Sequence, residues 1–253
     1  MSYECVQVES EAAIRILRLN RPEARNAFNW TQMLDLTEAL HDADADAGVR
    51  AVILTGNGSA FSAGMDLKEG MKGWGQPRGE RKLKEIPELL VKHFQKPVIA
   101  AINGPAIGWG LTLALLCDIR VAGASAKMSM RFTQVGLIPE AGSPWLLPQI
   151  VGLANALDLS LTAKTIDAAE AFRIGLVNYL VPDDQLMAKA LEIARSIAEK
   201  SPLAIGFARR SFYDCLDLSF EEQQKKEKME FARCLVSDGF RQGQKKFLER
   251  KPQ

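Results

Sequence analysis

Two glycine-rich segments carry most of the chemical signal in this sequence. Phe61-Ser-Ala-Gly-Met-Asp-Leu67 follows a short apolar run and a turn, and Asn103-Gly-Pro-Ala-Ile-Gly-Trp-Gly-Leu-Thr-Leu113 opens an apolar helix. Glycine lets the main chain approach a ligand closely, and N–H groups at a helix start are unpaired and lie at its positive end. Such donors suit an oxygen that gains negative charge during a reaction. Taken singly, each segment also reads as a tight turn.

The rest of the inventory narrows the chemistry. His41 and His93 are the whole imidazole supply, and both read as surface residues. Ser-His-Asp and Cys-His mechanisms and a His-rich metal site are therefore disfavoured, which leaves carboxylates and backbone. The four cysteines, Cys5, Cys117, Cys215 and Cys234, lie far apart without zinc spacing and fit a reduced cytoplasm. Over 253 residues, 32 Lys and Arg nearly cancel 31 Asp and Glu, a balance that points to neither nucleic acid nor a membrane surface. No signal peptide is visible at the N-terminus, and the longest apolar run, around Leu111 to Cys117, is too short to span a bilayer.

The elements that position these segments follow from the hydropathy pattern. Val6 and Val8, then Ile14, Ile16 and Leu19, predict a hairpin that ends at Arg21-Pro22. Asn29 reads as the N-cap of a helix through Met33, Leu36 and Leu40. Ala51 to Leu54 and Pro97 to Ile102 read as buried strands, and their similar strand-and-turn patterns, roughly 46 residues apart, hint at an internal repeat. Gly70 to Gly79 reads as a mobile loop, with a helix after it from about Glu80 to Phe94. A helix from Gly108 to Cys117 and a strand from Ile119 to Ala122 come next.

Helices are expected over Pro144 to Val151, Ala154 to Leu161 and Ala168 to Ile174, the last closed by Gly175, with a final strand over Val177 to Val181. From about Asp183 three or four helices follow, one opened by a Ser219/Glu222 capping box. The expected organisation is an α/β core over 1–195 with a helical region over 196–253.

The two glycine segments, in this order, resemble the crotonase superfamily, the enoyl-CoA hydratase/isomerase family. Further matching pieces are Arg21-Pro-Glu-Ala-Arg-Asn-Ala-Phe28, Ala51-Val-Ile-Leu-Thr-Gly56, Lys96-Pro-Val-Ile-Ala-Ala101, Cys117-Asp118, Gly136-Leu-Ile-Pro-Glu-Ala-Gly142, Gly175-Leu-Val177 and Phe247-Leu-Glu-Arg-Lys-Pro252. The resemblance spans almost the whole chain. It implies a spiral of β-β-α repeats whose helical C-terminal region builds a homotrimer or a dimer of trimers.

It also implies an acyl-CoA thioester substrate, coenzyme A being part of that substrate and no separate cofactor or metal being needed. The N–H groups of Met65 and Trp109 are expected to hold the thioester oxygen. The Trp109 indole stands where the family usually has glycine, and it either intrudes on the acyl pocket or packs in the core. Ala24, Arg25, Ala63, Gly64, Asp66, Leu67 and Gly108 are expected along the coenzyme A path. Asp118 reads as a structural hydrogen-bond acceptor, and the tail lysines as solvated helix faces.

Hydratases of this family use two glutamates. The matching positions here are Thr112 and Phe132, and neither can serve as a carboxylate base. Glu140 remains nearby, where Δ3,Δ2-enoyl-CoA isomerases carry an acid, and it reads either as a base or as an exposed turn residue. The expected activity is double-bond isomerisation with Glu140 as the proton shuttle. A hydratase-like or ring-modifying relative, and a non-catalytic coenzyme A-binding scaffold, are the alternatives.

Overall fold

A computed structural model describes residues 3–69 and 85–249. The loop expected over Gly70 to Gly79, and Arg250 with the last three residues, lie outside them.

The N-terminal hairpin pairs β1 (Val6–Glu11) with β2 (Ile14–Leu19). Asn29 caps α1 (Trp30–Ala45), its side chain accepting the Gln32 N–H. Then β3 (Ala51–Gly56) lies parallel to β2, and β4 (Val98–Ile102) lies parallel to β3. Val52 faces Val98, Ile53 faces Ile99 and Leu54 faces Ala100, each pair 46 positions apart (98 − 52), so the repeat seen in the sequence is a spatial one. The sheet is completed by β6 (Ile119–Gly123) and β9 (Tyr179–Val181), in the order β1-β2-β3-β4-β6-β9.

Before β4, the described part of the helix expected from Glu80 is α2 (Ile86–Glu88), which runs on into a π-helical turn over Leu89–His93. A second, small sheet was not legible in the sequence: β5 (Ala106–Ile107), β7 (Lys127–Ser129) and β8 (Ile166–Asp167). An isolated parallel bridge from Ser62 to Ala106 extends it. The chain thus winds repeatedly from a main-sheet strand to a small-sheet strand to a helix. Thus β4 and β5 lead to α3 (Trp109–Leu115), and β6 and β7 lead to α4 (Ser143–Thr162). Gly152, with φ +77°, kinks α4 where two separate helices are expected from sequence.

Parallel strands covered on both faces need apolar residues at every position. Val52, Leu54, Val98 and Ala100 join the main core with Leu36, Leu40 and Ala43 of α1. Ile53, Ile99 and Ala101 face the other way, against Leu186, Ala190 and Ala194, a four-residue repeat on α6 (Leu186–Ala198). Between α4 and α6, α5 (Ala168–Arg173) ends with Gly175 at φ +78°. The C-terminal elements are α7 (Pro202–Asp214), α8 (Phe220–Leu235), opened by the Ser219/Glu222 capping box, and α9 (Asp238–Leu248). Among the described residues, no helix is long and apolar enough to cross a membrane.

Asp118 ties this C-terminal region to the sheet. Its Oδ2 accepts the Val98 N–H and Arg209 Nε, both at 2.8 Å, and its Oδ1 accepts the Tyr213 hydroxyl at 3.0 Å. The structural role read from the sequence holds. Of the two histidines, His93 is exposed and His41 is half-buried on α1.

Candidate active site

The segment after β3 is held on both sides by main chain. Ser62 N–H donates to the Pro105 carbonyl and the Ile107 N–H to the Ser62 carbonyl, each at 3.0 Å. On the other side, the Ala63 N–H reaches the Arg25 carbonyl (2.9 Å), the Phe28 N–H the Gly64 carbonyl (2.7 Å), and the Asp66 N–H the Phe28 carbonyl (2.9 Å). Residues 62–66 are therefore clamped between 25–28 and 105–107.

Glycine is required twice in this clamp. Gly64 has φ +94°, and a Cβ there would lie 2.6 Å from the Ile107 carbonyl oxygen. A Cβ on Gly110 would lie 2.4 Å from the Ser62 carbonyl oxygen. Gly108 has space for a side chain, but its φ of +52° with ψ −118° disfavours one, and its N–H is spent on the Ser129 carbonyl at 2.8 Å.

Met65 and Trp109 each stand three residues beyond the paired residues Ser62 and Ala106. The Gly64 backbone runs close to the Trp109 amide, since a Cβ on residue 64 would be 3.6 Å from the Trp109 nitrogen. Among the described residues, neither the Met65 N–H nor the Trp109 N–H has a hydrogen-bond acceptor. Two unpaired main-chain donors side by side can stabilise one oxygen that becomes negative. The Trp109 indole is 3% exposed and packs on Phe28, with ring centroids 4.5 Å apart and tilted. Thr112 and Phe132 are both buried.

Glu140 lies in the turn that leads into α4, whose helix packs against α3. Left-handed backbone at Gly136, Ala141 and Gly142 shapes this turn. The Glu140 carbonyl accepts the Ser143 N–H at 3.0 Å and its hydroxyl at 2.7 Å, which leaves the carboxylate out of the turn's hydrogen bonding. As a residue Glu140 is exposed, yet its carboxyl is partly desolvated. That desolvation, with the Glu85 carboxylate as the smaller cause, pushes its pKa up.

Leu67 is exposed at 67%, Arg25 is exposed, and Ala24 and Ala63 are half-buried. Asp66 differs: its carboxylate pairs with Arg21 at 3.1 Å and accepts the Lys68 and Glu69 N–H groups. Sequence reasoning missed three positioning residues. Buried Asn26 accepts the Arg21 N–H and donates to the Asn57 and Ala60 carbonyls. Buried Ser62 donates its hydroxyl to the Asn26 carbonyl and accepts the Gly64 N–H. Ser129 receives Gly108. A polar residue between apolar neighbours is the one signal that marks Ser62, and Asn26, which follows Arg25, carries none. Among the described residues, no cluster of His, Cys, Asp and Glu is placed to hold a metal.

A family model described as enoyl-CoA hydratase/isomerase matches residues 9–253. A probable enoyl-CoA hydratase of Rhizobium meliloti is 36% identical over 99% of this chain and 97% of its own length. A crystal structure of a probable enoyl-CoA hydratase/isomerase from Mycobacterium abscessus superposes with a TM-score of 0.92 at 28% identity, covering 99% of this chain and 97% of the other. A monofunctional enoyl CoA isomerase from M. smegmatis matches at 37% identity with a TM-score of 0.74, over 87% of this chain and 98% of its own.

Proposed function

The chain belongs to the enoyl-CoA hydratase/isomerase family, and from that premise we propose that it is a Δ3,Δ2-enoyl-CoA isomerase with Glu140 as its proton shuttle. One observation carries the reading. The positions at which hydratases hold their two glutamates are occupied by Thr112 and Phe132, while Glu140 brings a carboxylate to the head of α4, beside α3.

In this reading Glu140 takes a proton from C2 of a 3-enoyl thioester. The N–H groups of Met65 and Trp109 hold the dienolate oxygen, and Glu140 returns the proton at C4. The double bond moves from C3–C4 to C2–C3 with no atom gained or lost. The thioester oxygen carries more charge in the transition state than in the bound substrate, so donors aimed there lower the barrier. Loss of one such donor typically slows turnover by about 10²–10³. The coenzyme A moiety runs along Ala24, Arg25, Ala63, Gly64, Asp66, Leu67 and Gly108, with Asp66 acting through the shape that its Arg21 pair gives that path. Phe212, Phe220, Met229, Phe231, Phe247 and Leu248 expose apolar side chains on α7–α9, and copies of this chain bury them as a trimer or a dimer of trimers.

Hydration is the second reading, because relatives such as the one from Rhizobium meliloti carry the name of hydratases. The two separate by product. Given a 3-enoyl-CoA, the protein is expected to form the conjugated 2-enoyl-CoA, and given a 2-enoyl-CoA it is expected to form little 3-hydroxyacyl-CoA. Glu140→Gln should lose the isomerisation by about 10²–10⁴ with thioester affinity kept. Fast hydration, or isomerisation by Glu140→Gln near the wild-type rate, overturns the proposal.

A further inference from the structure

Trp109 offers its main-chain N–H to the proposed thioester site and carries an indole on the same residue. The N–Cα and Cα–Cβ bonds are each about 1.5 Å long, and a hydrogen-bonded oxygen lies about 2.9 Å from its donor nitrogen. An oxygen held by this N–H is therefore within about 6 Å of the Trp109 Cβ. The root of the indole thus stands beside the first carbons of the acyl group.

The direction of the ring is fixed by its neighbour. Its centroid lies 4.5 Å from that of Phe28, at an interplanar angle of 53°, and both residues belong to the buried main core. Phe28 is paired with Met65, the residue of the other donor, through the Gly64 carbonyl and the Asp66 N–H. The two rings therefore bridge, on the core side, the backbones that carry both donors. Neither end of the bridge has room to retreat. Gly110, next to Trp109, already lies against Ser62, where a Cβ would come within 2.4 Å of the carbonyl oxygen. Protein interiors are packed as densely as organic crystals, so a buried aromatic pair does not step aside for extra methylenes. An acyl chain heading for the core meets this obstruction and has to turn toward solvent, where further carbons gain little from burial.

We infer that Trp109 is a specificity-determining residue whose indole, braced on Phe28, closes the core side of the acyl pocket and restricts the protein to short acyl chains. The inference rests on the proposed thioester site at Met65 and Trp109 and adds the length class of the acyl group to it. The test measures dissociation constants of butanoyl-, octanoyl- and dodecanoyl-CoA, by calorimetry, on wild type, Trp109→Ala and Trp109→Leu. A methylene that becomes buried adds about fourfold in affinity. Between octanoyl and dodecanoyl the wild type should gain less than that in total, and Trp109→Ala should gain about tenfold or more. Trp109→Leu makes a smaller opening and should fall between them, and it carries the test if the alanine variant does not fold. A wild-type affinity that climbs with every methylene up to dodecanoyl, or variants that keep the wild-type length profile, overturns the inference and leaves the thioester site standing. A wild type that binds none of the three ligands removes the thioester site itself, and this inference with it.

Discussion

The Ile107 carbonyl oxygen occupies the space that a Cβ on residue 64 would need, 2.6 Å away. The two residues come from consecutive windings of the chain, and their contact sets how closely the Met65 and Trp109 amides approach. With φ at +94° as well, Gly64 is excluded from substitution twice over, by space and by conformation.

Gly64→Ala is therefore expected to push residues 62–66 away from 105–107. The strained backbone costs about 1–3 kcal/mol, read as a lower urea midpoint, and thioester turnover falls more steeply than stability alone predicts. An alanine variant with wild-type turnover would show that this close approach does not matter.

As the proposed base, Glu140 is expected to set the acid limb of the pH–rate profile. Only its ionised form can accept a proton, so turnover is lost as pH falls through a pKa raised above the usual glutamate value by desolvation and by Glu85. Glu85→Gln removes the like charge, lowers that pKa and moves the acid limb of kcat/KM to lower pH. An unmoved limb would mean that the two carboxylates do not sense each other.

Asp66 shifts in the opposite direction. Burial pushes its carboxyl up, but the Glu69 and Lys68 N–H groups and the Arg21 guanidinium outweigh it and hold the pKa below the usual value. A depressed folded-state pKa gives stability that is present above the unfolded pKa and lost as pH falls through the folded one. Asp66→Asn should flatten the acid side of a stability–pH curve, and an unchanged slope would count against the pairing with Arg21.

Asp118→Ala leaves the Arg209 guanidinium, 6% exposed, with the Phe94 and Leu90 carbonyls and the Tyr213 ring but no carboxylate among the described residues. Breaking a buried pair by removing one partner costs about 3–5 kcal/mol. Chemical denaturation should show that loss, and the turnover of molecules still folded should stay near that of wild type. A large kinetic defect in folded protein would give Asp118 a part in the reaction.

Substituting Glu for Phe231, which is 67% exposed on α8, should produce a smaller species in sedimentation equilibrium while circular dichroism is unchanged. A wild type already monomeric at high concentration contradicts the proposed assembly.

What could be read in advance was local or strongly patterned. Asn29 and Ser219 announce helix starts because a short polar side chain followed by helical spacing has few other uses. The apolar runs at Ala51 and Val98 announce buried parallel strands, and their offset survives as register. The small sheet stayed hidden because β5 and β8 are two residues long and β7 three, too short for any period to show. The roles of Asn26 and Ser62 depend on main-chain atoms more than thirty positions away. Met65, Trp109 and Glu140 are proposed on family likeness, because amides leave no mark in the side-chain alphabet.

That silence has an evolutionary side. Because both candidate donors are peptide groups fixed by main-chain pairing at Ser62 and Ala106, no side-chain substitution other than proline deletes either of them directly. Side chains at 65 and 109 are then free to vary with the acyl group to be accommodated, while the electrostatic machinery is inherited unchanged. Substrate range and catalytic power drift separately in such a fold.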